Sequence, residues 1–255
     1  MKILICGKGG SGKSTLAVLM ARTLHDKGYR VLLVDADESN LGLERLMGVE
    51  EAAGLTDKLG GKKGAKNRMM EAFAHGKPVF VNERWRFADI PQDFSVECDG
   101  IRLLTIGKIH HFGEGCACAM GGLSKTLLSN LETGKEEMVI VDTEAGIEHL
   151  GRGVDEGADI ILCIVDPSFD SFLLARKIAE IGDKIGKPVY FVLNRTDEEI
   201  ESVMAAQVDA DRIIARVPDT RSLFLDAMEG KTLGTVPPGI EDLCRFLDRL
   251  KVVGK

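Results

Sequence analysis

In the stretch GKGGSGKST, residues 7–15, four glycines, two lysines and three hydroxyl side chains share nine positions. It follows the apolar run KILIC (2–6) and opens a segment in which Leu16, Leu19, Met20 and Leu24 recur at helical spacing. Two patterns fit it. Gly7, Gly9 and Gly12 satisfy G-x-G-x-x-G, with Asp35 ending the next apolar run where a ribose-binding acid would stand. Gly7 through Ser14 also satisfies the stricter G-x-x-x-x-G-K-[ST]. A dinucleotide pyrophosphate is held by backbone N–H groups and a helix dipole, so it requires no cation beside the last glycine. A triphosphate with magnesium does. Lys13 suits the β- and γ-phosphate oxygens and Ser14 a magnesium position, while Gly9, Gly10, Ser11, Gly12 and Thr15 complete the cradle. Further on, VIVDTEAG (139–146) adds an apolar strand ending in Asp142, placed to orient magnesium-bound water, and then Gly146. Asp142 alone could be a strand-end turn residue; together with the loop it favours a nucleotide hydrolase.

Outward from the loop, short β-rich runs recur at 2–6, 30–35, 101–107, 138–142, 159–165, 188–194 and 212–217. They are almost continuously apolar, as strands buried on both faces must be. Helical patterns separate most of them, one through Leu16 to Leu24 and another through Phe172, Leu173, Lys177 and Ile181. The expected fold is α/β: a mostly parallel twisted sheet of about seven strands, helices on both faces, and a site at the carboxyl ends of the strands. A single domain over residues 1–255 is expected, with an insertion at about 48–100 that carries the lone Trp and reads as a functional loop region or a small subdomain over the site.

Apolar residues make up 44 % of the 255 positions and charged residues 29 %, an ordinary globular balance. The net charge of −7 argues against a non-specific grip on nucleic acid. No window reaches the ~18 apolar residues of a membrane span, and no signal peptide is recognisable. A cytoplasmic protein is expected, in which thiols stay reduced, so the six cysteines are not a disulfide framework. Cys6, Cys163 and Cys244 lie in apolar runs and read as core residues, whereas Cys98 is uninformative.

Lys8, a second lysine inside the loop, resembles the deviant phosphate loop of the ATPase family that includes the partition and division-site ATPases and the nitrogenase iron protein. The resemblance implies that Lys8 reaches across a nucleotide-bound homodimer to the partner's phosphates, stabilising charge much as an arginine finger does. LLVDADES (32–39) is similar to that family's first switch, which implies that Asp37 orients the attacking water and Asp35 supports magnesium. The family often has Pro after this Asp; here Glu38 stands there. NRTD (194–197) resembles the guanine-reading N-K-x-D, but TDEE also reads as a helix start capped by Thr196 or Asp197. Asn194 is retained as a base contact and Pro218, in VPDT (217–220), as the second base-side residue; ATP is chosen by resemblance.

Cys116 and Cys118 stand in EGCACAM (114–120). A C-x-C pair rarely closes a disulfide, but it chelates one soft ion well. His110, His111 and Met120 are nearby donors, and a helix pattern begins just downstream in SKTLLSNLE (124–132). Two thiolates are half of a four-coordinate set, which a twofold dimer axis can complete. The loop, the C-x-C and AGIEHLGRG (145–153) together resemble the CooC-type nickel-inserting ATPases that mature carbon monoxide dehydrogenase. The resemblance runs along essentially the whole chain. It implies nickel, with zinc as an alternative occupant, held by Cys116 and Cys118 of both subunits, and apo carbon monoxide dehydrogenase as client. Glu148 and His149 fall in the resembling segment as coupling or interface residues. Two other readings stay open: a partition or positioning ATPase, and an iron–sulfur carrier or reductase.

Overall fold

A computed structural model of the chain describes residues 1–39, 42–49, 54–75, 79, 84–108, 118–147, 150 and 153–253. The elements run β1 (Lys2–Gly7), α1 (Lys13–Asp26), β2 (Arg30–Ala36), α2 (Leu43–Met47), α3 (Leu55–Lys58), α4 (Gly61–His75), β3 (Trp85–Arg86), β4 (Val96–Cys98) and β5 (Ile101–Thr105). They continue with α5 (Cys118–Asn130), β6 (Leu131–Glu132), β7 (Glu137–Thr143), β8 (Ile160–Val165), α6 (Phe169–Ile185), β9 (Val189–Thr196), α7 (Ile200–Gln207), β10 (Ile213–Pro218), α8 (Arg221–Met228) and α9 (Pro238–Val253). Eight strands form one sheet in the order β10-β9-β8-β1-β7-β2-β5-β4. All neighbours are parallel except β4 with β5. The expected seven strands are present; the eighth, β4, comes from the 48–100 segment, where its three residues have too little apolar run to be read from sequence.

The central strands are buried on both faces, and their side chains alternate between two cores. Leu4 and Cys6 of β1 join the cluster under α5 and α6, whereas Ile3 and Ile5 join the cluster under α1 and α9. That alternation is the period-2 geometry of a strand. In α1, Leu16, Leu19, Met20 and Leu24 are buried as their spacing predicts. In α6 Phe172 is buried and Ile181 packs against the core as expected, whereas Leu173 is 48 % exposed and Lys177 faces solvent; Ala175, Ile178 and Ala179 complete the buried stripe. In α9, Ile240, Leu243, Cys244 and Leu247 are fully buried, which seats the amphipathic C-terminal helix on the sheet. Cys6 and Cys163, paired in register between β1 and β8, are core residues as expected.

The described residues of the 48–100 segment pack against the main core. Leu55, Leu59, Ala65, Trp85, Phe87 and Ile90 are buried in the same core as β2, β5 and α5, and the Trp85 ring lies 6.0 Å from that of Phe94. Thr56 ties this layer to β5, its N–H and hydroxyl both donating to the Ile106 carbonyl at 2.8 and 2.7 Å. Among the described residues no helix is long and apolar enough to cross a membrane.

Candidate functional site

β1 sits between β7 and β8, and the chain leaves it in opposite directions: toward β2, β5 and β4 on one side, toward β9 and β10 on the other. In an open parallel sheet such a switch point leaves a crevice at the carboxyl ends of the strands. Gly7, Asp35, Asp142, Asn194 and Pro218 all lie within the last three residues of their strands, on that edge. Asp35 and Asp142 are register partners on neighbouring strands.

The glycine loop closes on itself between β1 and α1. The Ser11 N–H donates to the Lys8 carbonyl at 3.1 Å, and Gly12 stands at the N-terminus of α1 with φ +99°. A Cβ on Gly12 would lie 2.4 Å from Asn194 Nδ2, so both conformation and space require glycine there. The first amides of α1 have no acceptor within the helix and point, with its dipole, toward whatever anion the loop surrounds. The Lys13 ammonium lies 3.4 Å from the Lys8 carbonyl, within the loop's own span. The Gly146 N–H donates to the Gly7 carbonyl at 3.2 Å, which brings the segment after β7 against the loop.

The Ser14 hydroxyl donates to Asp142 Oδ2 at 2.5 Å. Asp142 is fully buried, and its Oδ1 has no hydrogen-bond partner. An orphaned carboxylate oxygen beside a hydroxyl is a donor set for a hard divalent cation, so the residues present fit magnesium. Burial raises the Asp142 carboxyl to about 6, opposed by the Ser14 hydrogen bond and the Lys13 charge. Burial likewise raises Asp35 to about 7, although Lys108 Nζ lies 2.6 Å from its Oδ2 and pulls the other way. Asp37 accepts the Ser39 N–H and hydroxyl on Oδ1 at 2.9 and 2.7 Å.

A second part of the crevice lies between the β9 and β10 ends and α8: a cleft of about 90 Å³, open to solvent, lined among others by Thr15, Asn194, Pro218, Leu223 and Phe224. The Phe224 ring is half-exposed, with the Arg221 guanidinium 5.4 Å from its centroid. Asn194 and Pro218 both line this cleft. Asn194 also braces the loop, its Nδ2 donating to the Ser11 carbonyl at 2.7 Å. Asp197 takes the capping reading: its Oδ1 accepts the N–H groups of Glu199 and Ile200 ahead of α7. Lys8 Nζ lies 3.3 Å from the Ser168 hydroxyl, which donates to Asp166 Oδ1 at 2.8 Å.

The expected metal-binding segment is only partly described. Cys116, His110, His111, Glu148 and His149 lie outside the described residues, and Cys118 enters as the first residue of α5. The helix thus begins at the second cysteine, six residues before the expected SKTLLSNLE start. Met120 is buried in the core with Ile106 and Leu123, so it packs rather than offering its sulfur outward. Sequence reading missed Lys108, Ser168 and Phe224. For Lys108 a signal existed: it follows a parallel strand at the carboxyl edge where acids gather.

Comparison with known proteins agrees with this geometry. The chain is 44 % identical over 250 residues to an uncharacterized ATP-binding protein of Methanocaldococcus jannaschii, covering 98 % of this chain and 100 % of that one. It is 36 % identical over 222 residues to the carbon monoxide dehydrogenase accessory protein CooC of Rhodospirillum rubrum, covering 78 % and 80 % respectively. The fold is similar to that of the septum site-determining protein MinD of Pyrococcus horikoshii, solved with Mg-ADP, at TM-score 0.70 and 17 % identity over 100 % of this chain and 98 % of that one. Residues 2–233 match the CobQ/CobB/MinD/ParA nucleotide-binding domain, and the chain belongs to that family of P-loop proteins.

Proposed function

We propose that this protein is an ATPase that loads a nickel ion into apo carbon monoxide dehydrogenase. The observation that supports the reading is the strand-end crevice with its P-loop, taken with the likeness to the accessory protein CooC, in a chain that carries a C-x-C pair at Cys116 and Cys118, the second of which is the first residue of α5. In this reading the loop amides of residues 9–15 and Lys13 bind the phosphates, and the base enters the cleft at Asn194 and Pro218. Ser14 and Asp142 would hold magnesium, which neutralises phosphate charge when bound. Asp37 orients the water that attacks the γ-phosphorus, giving ADP and phosphate. The Gly146 amide turns from the Gly7 carbonyl to the γ-phosphate, so the segment after β7 reports whether that phosphate is present.

Two copies close on ATP, with Lys8 leaving Ser168 to reach the partner's phosphates. Closure brings four thiolates together around one soft cation, and hydrolysis loosens the dimer and surrenders the ion. A thiol at a helix N-terminus favours the thiolate form that binds metal.

The test is anaerobic titration of nickel, with and without ATP, on the wild type and on the Cys116→Ala/Cys118→Ala variant. Loss of stoichiometric nickel binding with ATP binding intact supports the site; unchanged nickel affinity removes it. A brown wild-type protein with visible absorbance would assign an iron–sulfur cluster instead. ATP-dependent co-sedimentation with DNA or liposomes, without nickel binding, would place the chain among partition or positioning ATPases.

A further inference from the structure

Buried charge beyond the residues already assigned concentrates at Lys108, three positions after β5 ends. Its side chain is 7 % exposed, and that of its partner Asp35 is 0 % exposed. Removing both ions from water is costly, and an apolar pair would serve stability as well or better. What the charged pair supplies is position. Lys108 Nζ lies 2.6 Å from Asp35 Oδ2 and donates to the Asp37 carbonyl at 2.8 Å. Asp35 Oδ1 accepts the Asp37 N–H at 3.2 Å. The backbone of Asp37 is therefore gripped on both sides of its Cα, at the amide by Asp35 and at the carbonyl by Lys108, and the ion pair closes the ring. Its carboxylate is aimed by Ser39 from the next turn of chain.

The residue after Asp37 makes such a grip necessary. Glu38 leaves the backbone φ free where a proline would have fixed it. A group that orients water must be held to within about 0.5 Å of its working place. Lys108 restrains from outside the segment what a proline would restrain from within.

We propose that Lys108 is a positioning residue of the hydrolytic switch, holding Asp37 through its carbonyl and through Asp35. The assignment rests on the ATPase reading. It acts on turnover, because the Lys108 ammonium holds Asp35 and the Asp37 carbonyl of the switch segment, while its charge also reaches Asp142.

Steady-state ATP hydrolysis with magnesium chloride tests it on four full-length chains: wild type, Lys108→Met, Lys108→Arg, and Asp35→Asn/Lys108→Met. Lys108→Met should lose at least about tenfold in kcat, because a small misplacement of a reacting group is amplified in rate. Its KM for ATP should stay within about threefold, the mark of an interaction made beyond ground-state binding. Lys108→Arg, which keeps a cation able to span carboxylate and carbonyl, should restore most of kcat. The double variant removes the unpaired buried carboxylate, so it should recover the melting temperature lost by Lys108→Met without recovering kcat. Wild-type kcat in Lys108→Met, or kcat returning together with melting temperature in the double variant, overturns the assignment. A wild-type chain that turns over no ATP overturns the hydrolase reading and this assignment with it; wild-type turnover left unchanged by Lys108→Met overturns the assignment alone.

Discussion

Asp142 shows how one carboxylate can serve binding at the expense of stability. It is sealed in the sheet edge with one oxygen on Ser14 and the other unsatisfied, and burial holds its carboxyl near 6 against an ordinary 3.8. A folded-state value above the unfolded one means that the contribution to stability is greatest below pH 4 and is lost as pH rises through about 6. Above that range the ionised group opposes folding, by on the order of 3 kcal/mol at 1.36 kcal/mol per pKa unit. Asp142→Asn should therefore raise the melting temperature of the ligand-free protein at pH 8, with the advantage vanishing near pH 4, while abolishing magnesium-dependent ATP hydrolysis. Calorimetry at the two pH values, paired with phosphate-release assays, checks both halves. A melting temperature lowered at pH 8 would contradict the account.

Among the elements, the 48–100 segment shows where local pattern is least informative. α3 has four residues, α4 carries glycines and scattered charge, β3 has two residues and β4 three, so neither helical nor strand periodicity develops over a readable window. Packing organises the segment instead: Trp85 is 2 % exposed, within the same apolar cluster as Leu104 and Leu127. Removing that ring leaves a cavity that neighbours can fill only in part, so Trp85→Ala should cost about 3 kcal/mol or more of unfolding free energy. Denaturant unfolding measures it directly. If the segment were a detached lid, the midpoint of the main transition would not move.

At the level of the whole molecule, the strand-end edge collects the glycine loop, three carboxylates and the cleft beside Asn194, and Lys8 stands beside them at the C-terminal end of β8, on Ser168. A single hydrogen bond at 3.3 Å to a hydroxyl is a weak hold on an ammonium, so transfer to a partner's phosphates costs little. Lys8→Ala should bind ATP with affinity close to wild type yet stay monomeric when magnesium and ATP are added, whereas the wild type should shift to a dimer. Sizing with light scattering decides it. A Lys8→Ala chain that dimerises with ATP as wild type does would remove the trans role.

The sequence by itself determined the sheet and the loop, because both rest on short-range chemistry. Seven apolar runs predict buried parallel strands, and nine consecutive residues at 7–15 carry the nucleotide-binding P-loop pattern with its lysine and its hydroxyl. Lys13, Ser14 and Asp142 stand out as candidates because each motif holds its own members at fixed spacing, and the structure brings Ser14 and Asp142 into a hydrogen bond. Only the tertiary structure decided what those motifs meet. That Asp35 and Asp142 are neighbours, that Asn194 braces the loop from 183 residues away, and that Lys108 grips Asp37 across 71, follow from strand order alone. Register across a parallel sheet is set by crossovers and core packing, and neither leaves a local trace in the chain.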